Sequence, residues 1–222
     1  MEQTPVHEQH NPDLLAFIPS GSRRLAEIGC SSGALARALK HQTPDCDYVG
    51  IEIDAAYVEL AKRYCDRTMV LDIELADESF WTGLADRDCW IFGDTLEHLK
   101  DPWSVLESIR RVIPAEGRVV VCIPNAQHWS IQARLSVGDF RYEASGLLDR
   151  THLRWFTRQT IIELFESTGF RIEAGMPRVF QDPIRDTFLP VIESMARAAG
   201  GDPKAAIEDA LPLQYVMRAV PR

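Results

Sequence analysis

The stretch Leu25 to Ala36, LAEIGCSSGALA, constrains the fold of this chain more than any other. It begins as an apolar strand, turns at Gly29 and Gly33, and continues into Leu35, Ala38 and Leu39 at helical spacing. A strand–turn–helix of this kind presents backbone N–H groups and a helix N-terminus at the carboxyl edge of a parallel sheet. The two glycines permit a tight turn and let a ligand approach the backbone closely. Cys30, Ser31 and Ser32 between them are short enough to leave that space open.

The rest of the chain repeats the alternation. Strands are expected at Arg23 to Ile28, Asp47 to Ile53, Thr68 to Leu71, Asp88 to Phe92, Gly117 to Ile123, Phe170 to Glu173 and Leu213 to Val220. Helices are expected at Asp13 to Phe17, Ala34 to His41, Ala55 to Tyr64, Pro102 to Val112, Asn125 to Gly138 and Arg158 to Thr168. This order is the signature of an α/β fold, here a Rossmann-like three-layer sandwich on a mostly parallel seven-stranded sheet. Residues 177–210 interrupt it with a helical insertion centred on Ile184 to Ala199. The chain thus reads as one domain over residues 1–222, with an N-terminal arm and helix over 1–20. Residues 125–157 and 177–210 are placed as elements of an acceptor pocket or lid. The insertion's apolar face, Phe188, Leu189, Ile192, Met195 and Ala196, suits either a cap on that pocket or a homodimer face.

A formal net charge of −9 argues against nucleic-acid partners and favours a small molecule or glycan. The five dispersed cysteines contain no C-x-x-C pair and read as reduced core thiols of a cytoplasmic protein. The first residues lack the pattern of a signal peptide, and no apolar run is long enough to span a membrane.

Glu27 narrows the ligand. A carboxylate two residues before the first glycine would repel a pyrophosphate, and the glycine that a nicotinamide motif needs at position 31 is Ser31. S-adenosylmethionine brings an ammonium and a sulfonium cation instead. The spacing resembles the acid-x-G-x-G-x-G motif of class I S-adenosylmethionine-dependent methyltransferases, with serine for the middle glycine. In CWIFGDTLEHLKDP and GLLDRTHLRWFT the resemblance extends to the bacterial branch related to sugar, polysaccharide and ubiquinone-pathway O-methyltransferases. It implies that Glu27, Gly29, Cys30, Ser31 and Gly33 hold the methionine part, with Gly93 and Asp94 beside it. Glu52, with Ile53, would accept the ribose hydroxyls. Asp72 would read the adenine amino group, and Ile73 would pack on the ring.

Asp94-x-x-Glu97-His98 also resembles a metal-binding run of some O-methyltransferases, which implies a divalent metal on Asp94, Glu97 and His98; hydrogen bonding within the loop is the preferred alternative. A hydroxyl acceptor must lose a proton, a task suited to histidine. His152 and then His128 are the candidate bases, each with a structural role as the alternative. Asn125, Tyr142, Arg154 and Trp155 are candidate acceptor ligands, while Phe156 and Thr157 read as staple and N-cap of the following helix. The expected activity is O-methylation of a hydroxyl on a sugar or other small metabolite. An NAD(P)-dependent oxidoreductase of related fold and a non-catalytic methyltransferase-like partner domain are the rivals.

Overall fold

A computed structural model describes residues 8–222. Seven strands form one sheet in the order β3-β2-β1-β4-β5-β7-β6. They are β1 (Arg24–Ile28), β2 (Asp47–Glu52), β3 (Arg67–Val70), β4 (Cys89–Gly93), β5 (Arg118–Pro124), β6 (Phe170–Arg178) and β7 (Gln214–Pro221). The first five are parallel; β7 runs antiparallel to both β5 and β6. The Rossmann-like α/β sandwich expected from the sequence is the fold observed.

Alternation along buried strands fills both faces. Ala26 and Ile28 belong to one core with residues of α5 (Pro102–Val112) and α7 (Arg158–Ser167), notably Leu106, Ile109, Leu164 and Phe165. Leu25, Tyr48 and Ile91 belong to the opposite core with α1 (Pro12–Phe17) and α2 (Ala34–Gln42). Glu27 lies on β1 two residues from Leu25, so its side chain projects to this second, apolar face.

The remaining helices are α3 (Ala55–Ala61), α4 (Glu78–Thr82), α6 (Trp129–Ser136), α8 (Arg185–Ala198) and α9 (Pro203–Ala210). Of these, α4 and α9 were not expected: each is short, and its caps, Asp77 and Asp202, are also ordinary loop residues. β6 extends beyond the expected end at Glu173, through Pro177 to Arg178. It is the edge strand, so a missing N–H is tolerated there. The expected helix after β5 begins only at Trp129, since Asn125 first bridges to Phe156 and His128 serves as N-cap. Thr157 caps α7 in a capping box with Thr160, and Phe156 is buried beneath it, as expected. Residues 1–7 of the expected N-terminal arm lie outside the described residues.

The insertion packs on α6, and α9 meets the chain just after β5, where Asn125 donates to Asp209 O. Ile192 of α8 and Ala210 of α9 bury against Trp129 of α6, and the Phe188 and Trp129 rings stack at 5.6 Å. Of residues 177–210, placed from the sequence at an acceptor pocket or lid, Arg178 lines the large cavity described below, whereas the residues of α8 and α9 are not among its lining. Met195 on the insertion's outer face is exposed.

Candidate active site

A cavity of about 960 Å³ opens at the carboxyl edge of β1, β2 and β4. Glu27, Glu52 and Asp72 all line it, together with Gly29, Cys30, Ser31, Ile53, Ile73, Gly93 and Asp94. One wall is the entry to α1, including Asn11 and Leu14; another is the segment 145–153.

The turn after β1 is held open by backbone geometry. Gly29 and Gly33 have φ of +76° and +77°, and Ser31 joins them at +47°. Gly29 N–H and Cys30 N–H both donate to Ile51 O, at 2.8 and 3.2 Å, which ties the turn to β2. A Cβ on Gly29 would lie 2.6 Å from Thr95 Oγ1, so this glycine is required by the loop after β4. Gly33 has a different role from the one expected: it does not line the cavity. A Cβ there would approach the Ala61 Cα to 3.1 Å, so it lets α2 and α3 close on one another.

Glu52 is fixed by three backbone donors. Ser31 N–H reaches Oε2 at 2.9 Å, while Ile53 and Asp54 N–H reach Oε1 at 2.8 and 3.1 Å. A carboxylate oxygen has two lone pairs, so acceptor capacity remains towards the cavity. Asp72 caps the short turn Ile73–Leu75 through Glu74 N–H, and Ile73 is buried beside it. Glu27 is buried and accepts one hydrogen bond, from Tyr48 Oη at 2.8 Å. Burial pushes its carboxyl up to about 8, against the opposing effect of that hydrogen bond.

A second polar group lies in the loop after β4. Asp94 (φ +53°) accepts from Gln214 Nε2 of β7. Glu97 is fully buried, and neither carboxyl oxygen has a hydrogen-bond partner. Burial first, then the charges of Asp94 and Asp149, hold its carboxyl well above the usual range. The His152 Nε2 lies 4.0 Å from Glu97 Oε1, and its Nδ1 is buried without a partner. Burial and then His98 lower the His152 imidazole to about 4, so it is neutral at physiological pH. The His98 and His152 rings meet edge-on at 4.8 Å. His98 Nδ1 faces Thr151, whose hydroxyl donates to Asp149 Oδ1 at 2.7 Å. Backbone N–H groups of Leu153 and Arg154 donate to Glu97 O, which pins the 145–153 segment over this end of the cavity.

Ligand atoms of Glu97, His98 and His152 all lie within 4.8 Å of one another. A partnerless buried carboxylate with two imidazoles is a donor set that suits a divalent cation. The set differs from the expected one: His152 takes the place of Asp94, which is engaged by Gln214.

Several expected site residues are elsewhere. Asn125 is fully buried and braces the chain, donating to Asp209 O and Pro212 O at 2.8 Å each and accepting from Gln127 N–H. Asn125→Ala should therefore destabilise the fold by about 2–3 kcal/mol through carbonyls left unsatisfied, measurable by chemical denaturation. His128 caps α6 through Ser130 and is not among the residues that line the cavity; burial lowers its imidazole to about 4. Tyr142 is exposed and meets only Phe140 among the rings near it. Arg154 Nε donates to Lys100 O at 2.9 Å and its guanidinium covers Trp103. Trp155 packs on Phe140 and meets the His152 ring edge-on at 5.8 Å. None of these five residues lines the cavity. Their positions follow from local needs of the loop, namely caps, carbonyl partners and ring packing.

Tyr48, Thr95 and Gln214 belong to the site without having been singled out in the sequence. Only Tyr48 carried a signal, since a parallel register of β1 and β2 places it on the face of Glu27.

The model of the family described as "Methyltransferase domain" matches residues 7–174. The chain belongs to the methyltransferase family. Trans-aconitate 2-methyltransferase of Methylobacterium radiotolerans is 27% identical over 114 residues, covering 51% of this methyltransferase and 43% of the relative. Release factor glutamine methyltransferase of Escherichia coli is 28% identical over 71 residues, 32% of this chain and 26% of that one. The match thus spans less than half the length of either relative. Among solved structures, a SAM dependent methyltransferase from Archaeoglobus fulgidus superposes with a TM-score of 0.64 at 18% identity, covering 94% of this chain and 91% of that one. The plantazolicin methyltransferase BpumL in complex with SAH gives 0.59 at 15% identity, over 95% and 80%. At these identities the likeness is one of fold.

Proposed function

We propose that this methyltransferase binds S-adenosylmethionine in the cavity and transfers its methyl group to a hydroxyl of a small metabolite or sugar. The observation that supports this most is the convergence of Glu27, Glu52 and Asp72, from three successive strand ends, on one cavity that His152 also lines. Glu27 would meet the ammonium of the methionine part, Glu52 the two ribose hydroxyls and Asp72 the adenine amino group. Methyl transfer from a sulfonium is an in-line displacement, so positioning and exclusion of water supply most of the acceleration.

His152 would accept the acceptor's proton as the oxygen attacks. Its neutral, buried imidazole is in the protonation state that a base requires. The acceptor end of the cavity is polar, with Arg178 and Gln214 of β6 and β7 beside Asp94, which suits a hydroxylated compound.

The partnerless carboxyl of Glu97 favours one further reading of the same end. A divalent cation on Glu97, His98 and His152 would supply Lewis acidity to an acceptor oxygen. Dialysis against a chelator separates the two: full turnover afterwards would leave His152 acting as a base.

Isothermal titration with S-adenosylmethionine or S-adenosylhomocysteine tests the cofactor assignment, with saturable binding expected. No heat at millimolar ligand would end it. Binding of NADH instead would favour the oxidoreductase. Turnover is then sought by offering sugars, sugar nucleotides and quinols and detecting methylated product by mass.

A further inference from the structure

Glu27 differs from Glu52 and Asp72 in its surroundings. Its register partners are Gly50 on β2 and Ile91 on β4, so neither neighbouring strand brings a charge alongside it. The groups acting on its carboxyl are Tyr48 of β2, through the 2.8 Å hydrogen bond, and Glu52 at the end of the same strand. Cys30 in the turn and Cys65 after α3 complete the titratable groups, their sulfurs 2.7 and 3.0 Å from where a Cβ on Gly50 would stand. From α1 and α2 come Leu14 and Leu35. His10, Lys100, Arg150 and Arg178 also line the cavity, but none contributes to the titration of Glu27. The carboxyl thus has an apolar setting, one donor, and no cation among the described residues to hold its charge.

We propose that Glu27 is a proton-exchanging cofactor residue: it carries a proton in the free enzyme and releases it when the cofactor's ammonium group enters, with Tyr48 positioning the resulting carboxylate. The inference rests on the S-adenosylmethionine reading above. In the exchange the carboxyl O–H bond breaks, its electron pair stays on oxygen and the proton goes to solvent. The ammonium brings the compensating charge. Nothing is oxidised or reduced. Tyr48 Oη can donate only to an oxygen lone pair, so it favours the charged form and sets how readily the exchange occurs. The sign follows from linkage: the free enzyme binds one more proton than the complex, so affinity rises with pH until Glu27 is ionised in the free enzyme, near 8.

The test is isothermal titration of the full chain with S-adenosylhomocysteine at pH 7.0 in phosphate, HEPES and Tris. The slope of binding enthalpy against buffer ionisation enthalpy counts protons. Wild type is expected to release close to one proton, and its affinity to rise about tenfold between pH 6 and pH 7. Glu27→Gln keeps the shape but has no proton to give, so its slope should fall to the ligand's own contribution. Tyr48→Phe should shift the pH at which affinity levels off upward, an effect that loss of packing alone would not produce. Binding with no buffer dependence and flat affinity from pH 6 to 8 would overturn the exchange, as would equal proton release by wild type and Glu27→Gln. Should Glu27→Gln fail to bind, the wild-type buffer series and the Tyr48→Phe profile decide. Absence of any binding by wild type would instead overturn the cofactor assignment.

Discussion

His152→Ala is expected to lower methyl transfer to a hydroxyl acceptor by about 10²–10⁴-fold, the usual contribution of a positioned general base. Affinity for S-adenosylhomocysteine should change by no more than about twofold, because the loss falls on the chemical step. The pH profile adds an independent readout. The His152 imidazole is pushed down to about 4, and a base works in its neutral form. At saturating cofactor, kcat should therefore stay level as pH falls through 6.5 and drop only towards 4–5. In contrast, kcat/KM for the cofactor should fall below about 8, where Glu27 retains its proton. An acid limb of kcat near 6.5 would point to an ordinary solvated histidine and away from His152. Glu97→Gln offers a companion measurement, since it keeps the volume at a fully buried position while removing the ionisable carboxyl 4.0 Å from the imidazole.

Glu52→Ala should weaken S-adenosylhomocysteine binding by roughly 1–3 kcal/mol, about 5- to 150-fold in Kd. Two effects combine. The ribose hydroxyls lose a charged acceptor, and the N–H groups of Ser31, Ile53 and Asp54 lose the carboxylate that organises the turn. Adenosine and 2′,3′-dideoxyadenosine separate them. If Glu52 accepts from the ribose, the substitution should cost adenosine more than the dideoxy analogue; equal losses would leave Glu52 as a support of the turn alone.

The half of the site built on β1, β2 and β3 was legible because its chemistry is local. In EIGCSSG, GIEID and VLDIE the strand, its end and the functional acid are adjacent in the chain, so knowing the fold locates the side chain. The acceptor end was harder. Glu97 and His152 come together only because the backbone carbonyl of Glu97 holds the Leu153 and Arg154 amides, a contact no periodicity announces. His128 and Asn125 misled for the complementary reason. A histidine beside a helix start and an asparagine at a strand end are the right residue types for a site, yet each satisfies its polar atoms locally. The insertion's amphipathic helix was visible, but a 3.6-residue period says which face is apolar and not which neighbour it meets. Here that neighbour is Trp129.

The placement of β7 between β5 and β6 has a bearing on biosynthesis. β6 is made earlier yet touches the sheet solely through β7, and Gln214 at the start of β7 grips Asp94. A nascent chain that has emerged only as far as residue 213 therefore leaves the flank of β5 uncovered, a ready template for pairing with other polypeptides. Ribosome stalling or premature stop codons in the closing stretch should yield aggregates in place of a trimmed but working catalyst.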